Sequence, residues 1–181
     1  MKFKTKTIVF LGVFIAFEFF FSRVITAMFP TLFLIPGTSS KISLAFVPLS
    51  MCGWLLGPIP GLVCGVVSDI LGATLMPTGP FYFGYTITNG LRGLVYGLIL
   101  YKCGNNLGSI VLRSVIASAV VVVFLNLGLN SLWDVMFFSN PFWVNVAKKI
   151  PSNAINLVLY ITVITLYIKA FAHTDVKRFF K

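Results

Sequence analysis

Acidic side chains are nearly missing from this chain: Glu18, Asp69, Asp134 and Asp175 are the only four in 181 residues. Histidine occurs once, at His173 near the C-terminal end, away from any acid in an apolar segment. There is no G-x-x-x-x-G-K-[ST] phosphate loop, which excludes the usual P-loop mode of ATP binding. Neither H-E-x-x-H nor G-x-S-x-G occurs, and no nucleophile and base stand at one depth as an intramembrane enzyme would need. No catalytic activity and no cofactor are expected. Cysteine is scarce and odd in number, with Cys52, Cys64 and Cys103 in or beside apolar runs and no metal-ligand spacing, so these read as small core residues.

What the chain has is apolar mass. Hydrophobic residues make up 58%, charged residues 10%, and phenylalanine alone occurs 19 times, against about 25% charged in ordinary soluble domains. A water-soluble fold of this size has no interior large enough to hide that surface, so the chain belongs in a bilayer. The runs are apolar on all sides rather than alternating, which selects helices over a transmembrane barrel. At about 20 residues per span the length suits one domain, residues 1–181, of six transmembrane helices. The expected spans are about 7–29, 42–57, 59–75, 81–101, 109–131 and 145–171, each end uncertain by two to four residues. Basic Met1–Lys6 ahead of apolar Ile8–Phe21 superficially resembles a signal peptide, but the run continues to about Phe29 without a small-x-small cleavage site. An uncleaved first span is expected.

The formal net charge of +10 would suggest nucleic acid in a soluble protein. Here its distribution points elsewhere. With the N-terminus inside, Lys2, Lys4, Lys6, Lys102, Arg113, Lys169, Lys177, Arg178 and Lys181 fall on the inner side and only Lys41, Lys148 and Lys149 on the outer. That asymmetry is the positive-inside pattern and predicts cytoplasmic N- and C-termini, with the lipid bilayer, not nucleic acid, as the partner.

Proline and glycine punctuate the spans. Pro30–Lys41 cannot continue the first helix and reads as an outer loop closing over a site; Gly57-Pro58 followed by Pro60-Gly61 predicts a tight inner hairpin; Met76–Pro80 is an outer turn. Gly53, Gly57, Gly61, Gly65 and Gly72 predict close helix approach. Ser131–Asn145, rich in aromatics, reads as a longer outer segment, either an interface anchor or a second lid.

Charges inside spans are costly and face a partner or a wet cavity. Counting ~1.5 Å per residue, Asp69 lies ~15 Å from the inner end of its span and Arg92 ~16 Å from the outer end of the next, so the two are expected at one level. They form either a salt bridge or two walls of one pocket, with Glu18 an alternative partner for Arg92. Tyr85, Thr88, Asn89 and Arg92 fall at i, i+3, i+4 and i+7, one polar face turned to the bundle interior. Asn126 and Asn130, and Asn153 and Asn156, are read first as bonds between helices.

The stretches GPIPG (57–61), SDILGATLMPTGPFYFGYT (68–86) and NGLRGLVYG (89–97) resemble the substrate-binding S components of energy-coupling factor vitamin transporters, specifically the folate subgroup. That resemblance implies capture of folate or a related vitamin from outside, and association with a transmembrane coupling subunit and two cytoplasmic ATPase subunits, against which the S component topples. The small residues Gly12 and Ala16 would mark the contact with the coupling subunit. For a folate, Asp69 would accept paired N–H bonds from the pterin ring and Asn89 would read its carbonyl edge, with Thr86 alongside. Tyr82, Tyr85, Phe81 or Trp133 would stack on it. Arg23, Lys41, Lys148 or Lys149 would meet the anionic tail, and Arg92 would serve the ring carbonyl or fix Asp69. The competing expectations are an S component for another vitamin or base precursor, and a structural membrane protein whose polar groups only lock helices. Cationic thiamine is a poor match to Arg23 and Arg92.

Overall fold

The computed structural model describes residues 5–28, 44–77, 81–101, 103–104, 106–138 and 141–172, and every element among them is helical. Six helices follow in order: α1 (Thr5–Met28), α2 (Phe46–Leu56), α3 (Pro58–Leu75), α4 (Phe83–Leu100), α5 (107–138) and α6 (Phe142–Ala172). All six expected spans are present. Four of them, α1, α3, α5 and α6, are long and apolar enough to cross a membrane. α2 is shorter, at 11 residues, and α4 carries Thr86, Thr88, Asn89 and Arg92 among its apolar residues. Large apolar side chains such as Val9, Leu98, Phe124, Val158 and Leu166 stand exposed on the outside of the bundle, as a lipid-facing surface requires. The predicted outer loop Pro30–Lys41, the centre of the 76–80 turn, and His173 with the C-terminal basic residues lie outside the described residues.

The sequence reading is corrected at 131–145. Asn130–Phe138 is helical and prolongs α5, while Phe142 already begins α6. No proline or glycine interrupts 129–138, so helix geometry persists through Phe138, and the Pro141 carbonyl accepts the Asn145 amide at 3.2 Å at the start of α6. Of the aromatic side chains that suggested a longer outer segment, Trp133 and Phe137 pack on Tyr82 from this helix.

The hairpin at 57–58 forms as its residues dictate. Gly57 closes α2 with φ +105°, a conformation open to glycine, and Pro58 sits in the first turn of α3, where its missing N–H costs nothing. From there α3 and α4 run antiparallel along a glycine seam. A Cβ added at Gly61 would collide with the Gly93 carbonyl, one at Gly65 with the Asn89 carbonyl, and one at Gly53 would come within 2.7 Å of the Gly97 nitrogen. Backbones this close gain van der Waals contact that larger residues would forbid. α1 and α2 cover one side of this pair. α5 packs on α4 and on α6, and α6 returns to α2.

The α2–α6 contact is aromatic. Phe46 lies 4.1 Å from Tyr160 between ring centroids, Trp54 lies 5.8 Å from Tyr167, and the Tyr167 hydroxyl donates to Ser50 Oγ at 3.0 Å. Arg113 of α5 donates to the Ile99 carbonyl at 3.0 Å, meeting one of the carbonyls that the end of α4 leaves open. Cys52, Cys64 and Cys103 are buried and unbridged in the apolar core, as expected of small core residues.

Candidate functional site

The polar side chains inside the bundle divide into two groups on opposite sides of α4. On the α1–α3 side each charge has a partner, although Glu18 Oε2 is buried without one. Arg23 Nη2 stands 3.5 Å from Asp69 Oδ1, and the Thr86 hydroxyl donates to Asp69 Oδ2 at 2.6 Å. Glu18, 3% exposed, accepts from Asn89 Nδ2 at 3.2 Å, and the same amide group donates to the Gly65 carbonyl at 3.0 Å. A π-type wide turn at Phe20–Val24 carries Arg23, which lies across Gly72 of α3 where any Cβ would strike it. These bonds tie α1 to the α3–α4 pair.

Asp69 therefore has Arg23, not Arg92, as its guanidinium partner. The seam gives the reason: Gly61 meets Gly93 and Gly65 meets Asn89, so Arg92 stands opposite Leu62, about two turns or ~10 Å from Asp69 along the helix. Counting one depth from the inner end and the other from the outer end assumed two helices that each fill the bilayer. α3 and α4 have 18 residues apiece, only ~27 Å, and the pair is staggered. The expected polar face of α4 likewise separates: Asn89 looks to α1 and α3, while Tyr85, Thr88 and Arg92 look to α5 and α6.

The second group lies between α4, α5 and α6, and several of its polar atoms are buried with no partner. These are Arg92 Nε and Tyr96 OH on α4, Asn126 Oδ1 and Asn130 Oδ1 on α5, and Asn156 Oδ1 on α6. The Arg92 charge lies beside the phenol groups of Tyr96 and Tyr160. Asn126 Nδ2 donates to Asn153 Oδ1 at 3.2 Å, and Asn153 Nδ2 returns to the Lys149 carbonyl at 2.9 Å in the turn around Pro151. Asn126 sits in a second run of wide π-type turns, Val121–Leu129. Unsatisfied buried polar atoms are rare in folded proteins, because each costs about 1–3 kcal/mol. Five such atoms come from three helices on this side of α4.

Above them, toward the start of α4, is an aromatic layer. Tyr82 contacts Tyr85, Trp133 and Phe137 at centroid distances of 5.9, 5.9 and 5.2 Å. Trp133 Nε1 donates to Thr88 Oγ1 at 3.0 Å, and Thr88 in turn donates to the Gly84 carbonyl. Tyr85 donates its hydroxyl to Asp134 Oδ1, and Lys149 forms an ion pair with Asp134 Oδ2. Of the residues singled out from sequence, Tyr82, Tyr85, Arg92 and Trp133 thus gather on the α4–α5–α6 side, and Arg23, Asp69, Thr86 and Asn89 on the other; Lys41 lies outside the described residues. Sequence reasoning read Asn126, Asn130 and Asn156 first as bonds between helices, and their spare oxygens become visible only in the structure. Among the described residues no group of three His, Cys, Asp or Glu side chains gathers to hold a metal.

Six helices with a lipid-facing apolar exterior and a polar interior define a multi-pass integral membrane protein. Residues 2–173 match the model of the family described as ECF-type riboflavin transporter, S component, and the chain belongs to that family. It is 26% identical over 130 residues to a folate transporter FolT of Clostridium novyi (strain NT), covering 72% of this chain and 69% of that protein. To a folate transporter FolT of Leuconostoc mesenteroides subsp. mesenteroides it is 32% identical over 98 residues, 54% of this chain and 51% of that one. A crystal structure of FolT bound with folic acid superposes with a TM-score of 0.72 at 28% identity, covering 96% of this chain and 98% of the other.

Proposed function

We propose that this chain is the substrate-binding component of an energy-coupling importer for a folate, a single domain in the cell membrane with both termini cytoplasmic. It captures the vitamin from outside and hands it over by toppling against a transmembrane coupling subunit driven by two ATPase subunits. The reading rests on one observation, the unpaired polar atoms that converge between α4, α5 and α6. The ring enters beside Arg92, Asn126, Asn130 and Asn156, under the aromatic layer of Tyr82, Tyr85 and Trp133. Arg23, Asp69, Thr86 and Asn89 back the site by fixing α3 and α4 to α1.

The family's description names riboflavin and the relatives' names say folate, so a flavin is the second reading. Hydrogen-bond chemistry favours the pterin. Its polar edge offers an amino group and a ring N–H beside one carbonyl, which suits three free amide oxygens and one guanidinium N–H. A flavin edge sets one N–H between two carbonyls and asks for more donors. Titrating the detergent-purified chain with folate and with riboflavin, read by tryptophan fluorescence, is expected to give nanomolar binding of folate and at least ~100-fold weaker binding of riboflavin, about 2.7 kcal/mol. The reverse order would give the site to a flavin, and binding of neither would leave the polar groups as helix locks.

α1 supports the proposed contact with the coupling subunit. Its Glu18 faces the bundle, whereas Gly12 and Ala16 are exposed together with Val9, Val13 and Phe17, and a Cβ at Gly12 would meet nothing within 4 Å. Ala16→Trp is expected to lower uptake by the reconstituted full complex at least tenfold and to leave folate affinity of the isolated chain within twofold. Loss of binding with uptake in proportion would move the coupling surface elsewhere.

A further inference from the structure

Three helices meet at one carboxylate. Asp134 of α5 accepts from the Tyr85 hydroxyl of α4 through Oδ1 and pairs with Lys149 of α6 through Oδ2. The bridge therefore runs from α4 through α5 to α6. Its position relative to the unpaired groups is the same on each helix: Tyr85 precedes Arg92 by 7 residues, Asp134 follows Asn126 by 8, and Lys149 precedes Asn156 by 7. Each offset is about two helical turns, ~10–12 Å. The Tyr85–Asp134–Lys149 bridge thus forms a layer about two turns away from Arg92, Asn126 and Asn156, toward the start of α4. Lys149 and Asp134 are part-exposed, at 23% and 17% of their side chains, so the ion pair is open to a solute.

We propose that this bridge is a selectivity latch in which Asp134 holds, on Lys149, the place that the carboxylate of an anionic ligand takes on entry. The inference deepens the folate reading and rests on it. A ligand made of a flat ring and a carboxylate tail is long enough to put its ring beside Arg92, Asn126 and Asn156 and its tail at the latch. A ring without a tail has nothing to exchange for Asp134 and gains nothing from Lys149. Asp134 so keeps Lys149 neutralised and positioned between visits. Arg23 is held by Asp69 on the far side of α4, so the cations at this level of α6 are Lys149, which is bridged to Asp134, and its exposed neighbour Lys148.

The test compares association rates of folate and of 6-hydroxymethylpterin, which has no carboxylate, by stopped-flow tryptophan fluorescence on the full chain in detergent. Asp134→Asn keeps an acceptor for Tyr85 and uncovers the ammonium of Lys149. It is expected to raise the ratio of folate to pterin association rates on the order of threefold to tenfold at low salt, with the gain shrinking as salt screens it. Lys149→Met is expected to lower the same ratio below the wild-type value, and it carries the test should Asp134→Asn not fold. Equal changes for both ligands, or a ratio that falls in Asp134→Asn, would overturn the latch. Wild-type protein that binds neither compound would overturn the folate reading and the latch together, whereas wild-type binding with unmoved ratios would overturn the latch alone.

Discussion

Arg92→Met is expected to lower folate affinity by about 100-fold or more, while the unliganded protein unfolds at a higher temperature than the wild type. Both effects follow from one atom. Arg92 Nε is buried without a partner, so the guanidinium carries a desolvation penalty in the empty bundle that ligand removes. A hydrogen bond to a charged group is worth about 1.5–3 kcal/mol, and a buried N–H of a charged group left without an acceptor costs about as much. Methionine keeps the length of the side chain and discards the charge. Gains of this kind at the expense of function are common where a binding site stores strain. The two readouts are a folate titration and a thermal melt in detergent without ligand. A lower melting temperature with folate affinity intact would show that Arg92 is a structural cation serving Tyr96 and Tyr160.

Gly93→Leu is expected to prevent recovery of folded protein altogether. Its side chain would start inside the Gly61 carbonyl group, with Leu49 close behind. Ordinary overpacking costs about 1–3 kcal/mol because side chains yield; here the obstacle is backbone on the facing helix, and relief requires parting α3 from α4. Gly12→Leu is the control, since space is open there, and it should elute as a monodisperse peak on size-exclusion chromatography. Gly93→Leu should aggregate or fail to extract. A monodisperse, folate-binding Gly93→Leu protein would mean that the seam is looser than described.

Much of the architecture could be read from residues that act locally. Gly57 and Pro58 announce their own turn, the apolar runs announce their own helices, and the glycine spacing announces a close approach without naming the partner. What escaped was everything that depends on register between helices. The offset between Asp69 and Arg92 is fixed by which glycine meets which, and residue counts from opposite bilayer faces do not contain it. The same holds for Asn126, Asn130 and Asn156: asparagine in a membrane helix usually bonds a neighbour, worth roughly 0.6–2 kcal/mol, and only their spare oxygens beside Arg92 distinguish them. Ser131–Asn145 misled for another reason. Aromatic density was taken as the signature of a boundary, yet Trp133 and Phe137 pack on Tyr82 from a continuing helix.

α4 is a party wall between two neighbours with different habits. Asn89 grips Glu18 on the helix that bears Gly12 and Ala16, and Arg92, three residues further on, belongs to the opposite group. Under the proposed function only ~4.5 Å of helix separates the guest's groups from an amide that, together with the Arg23–Asp69 pair, holds α1 in place.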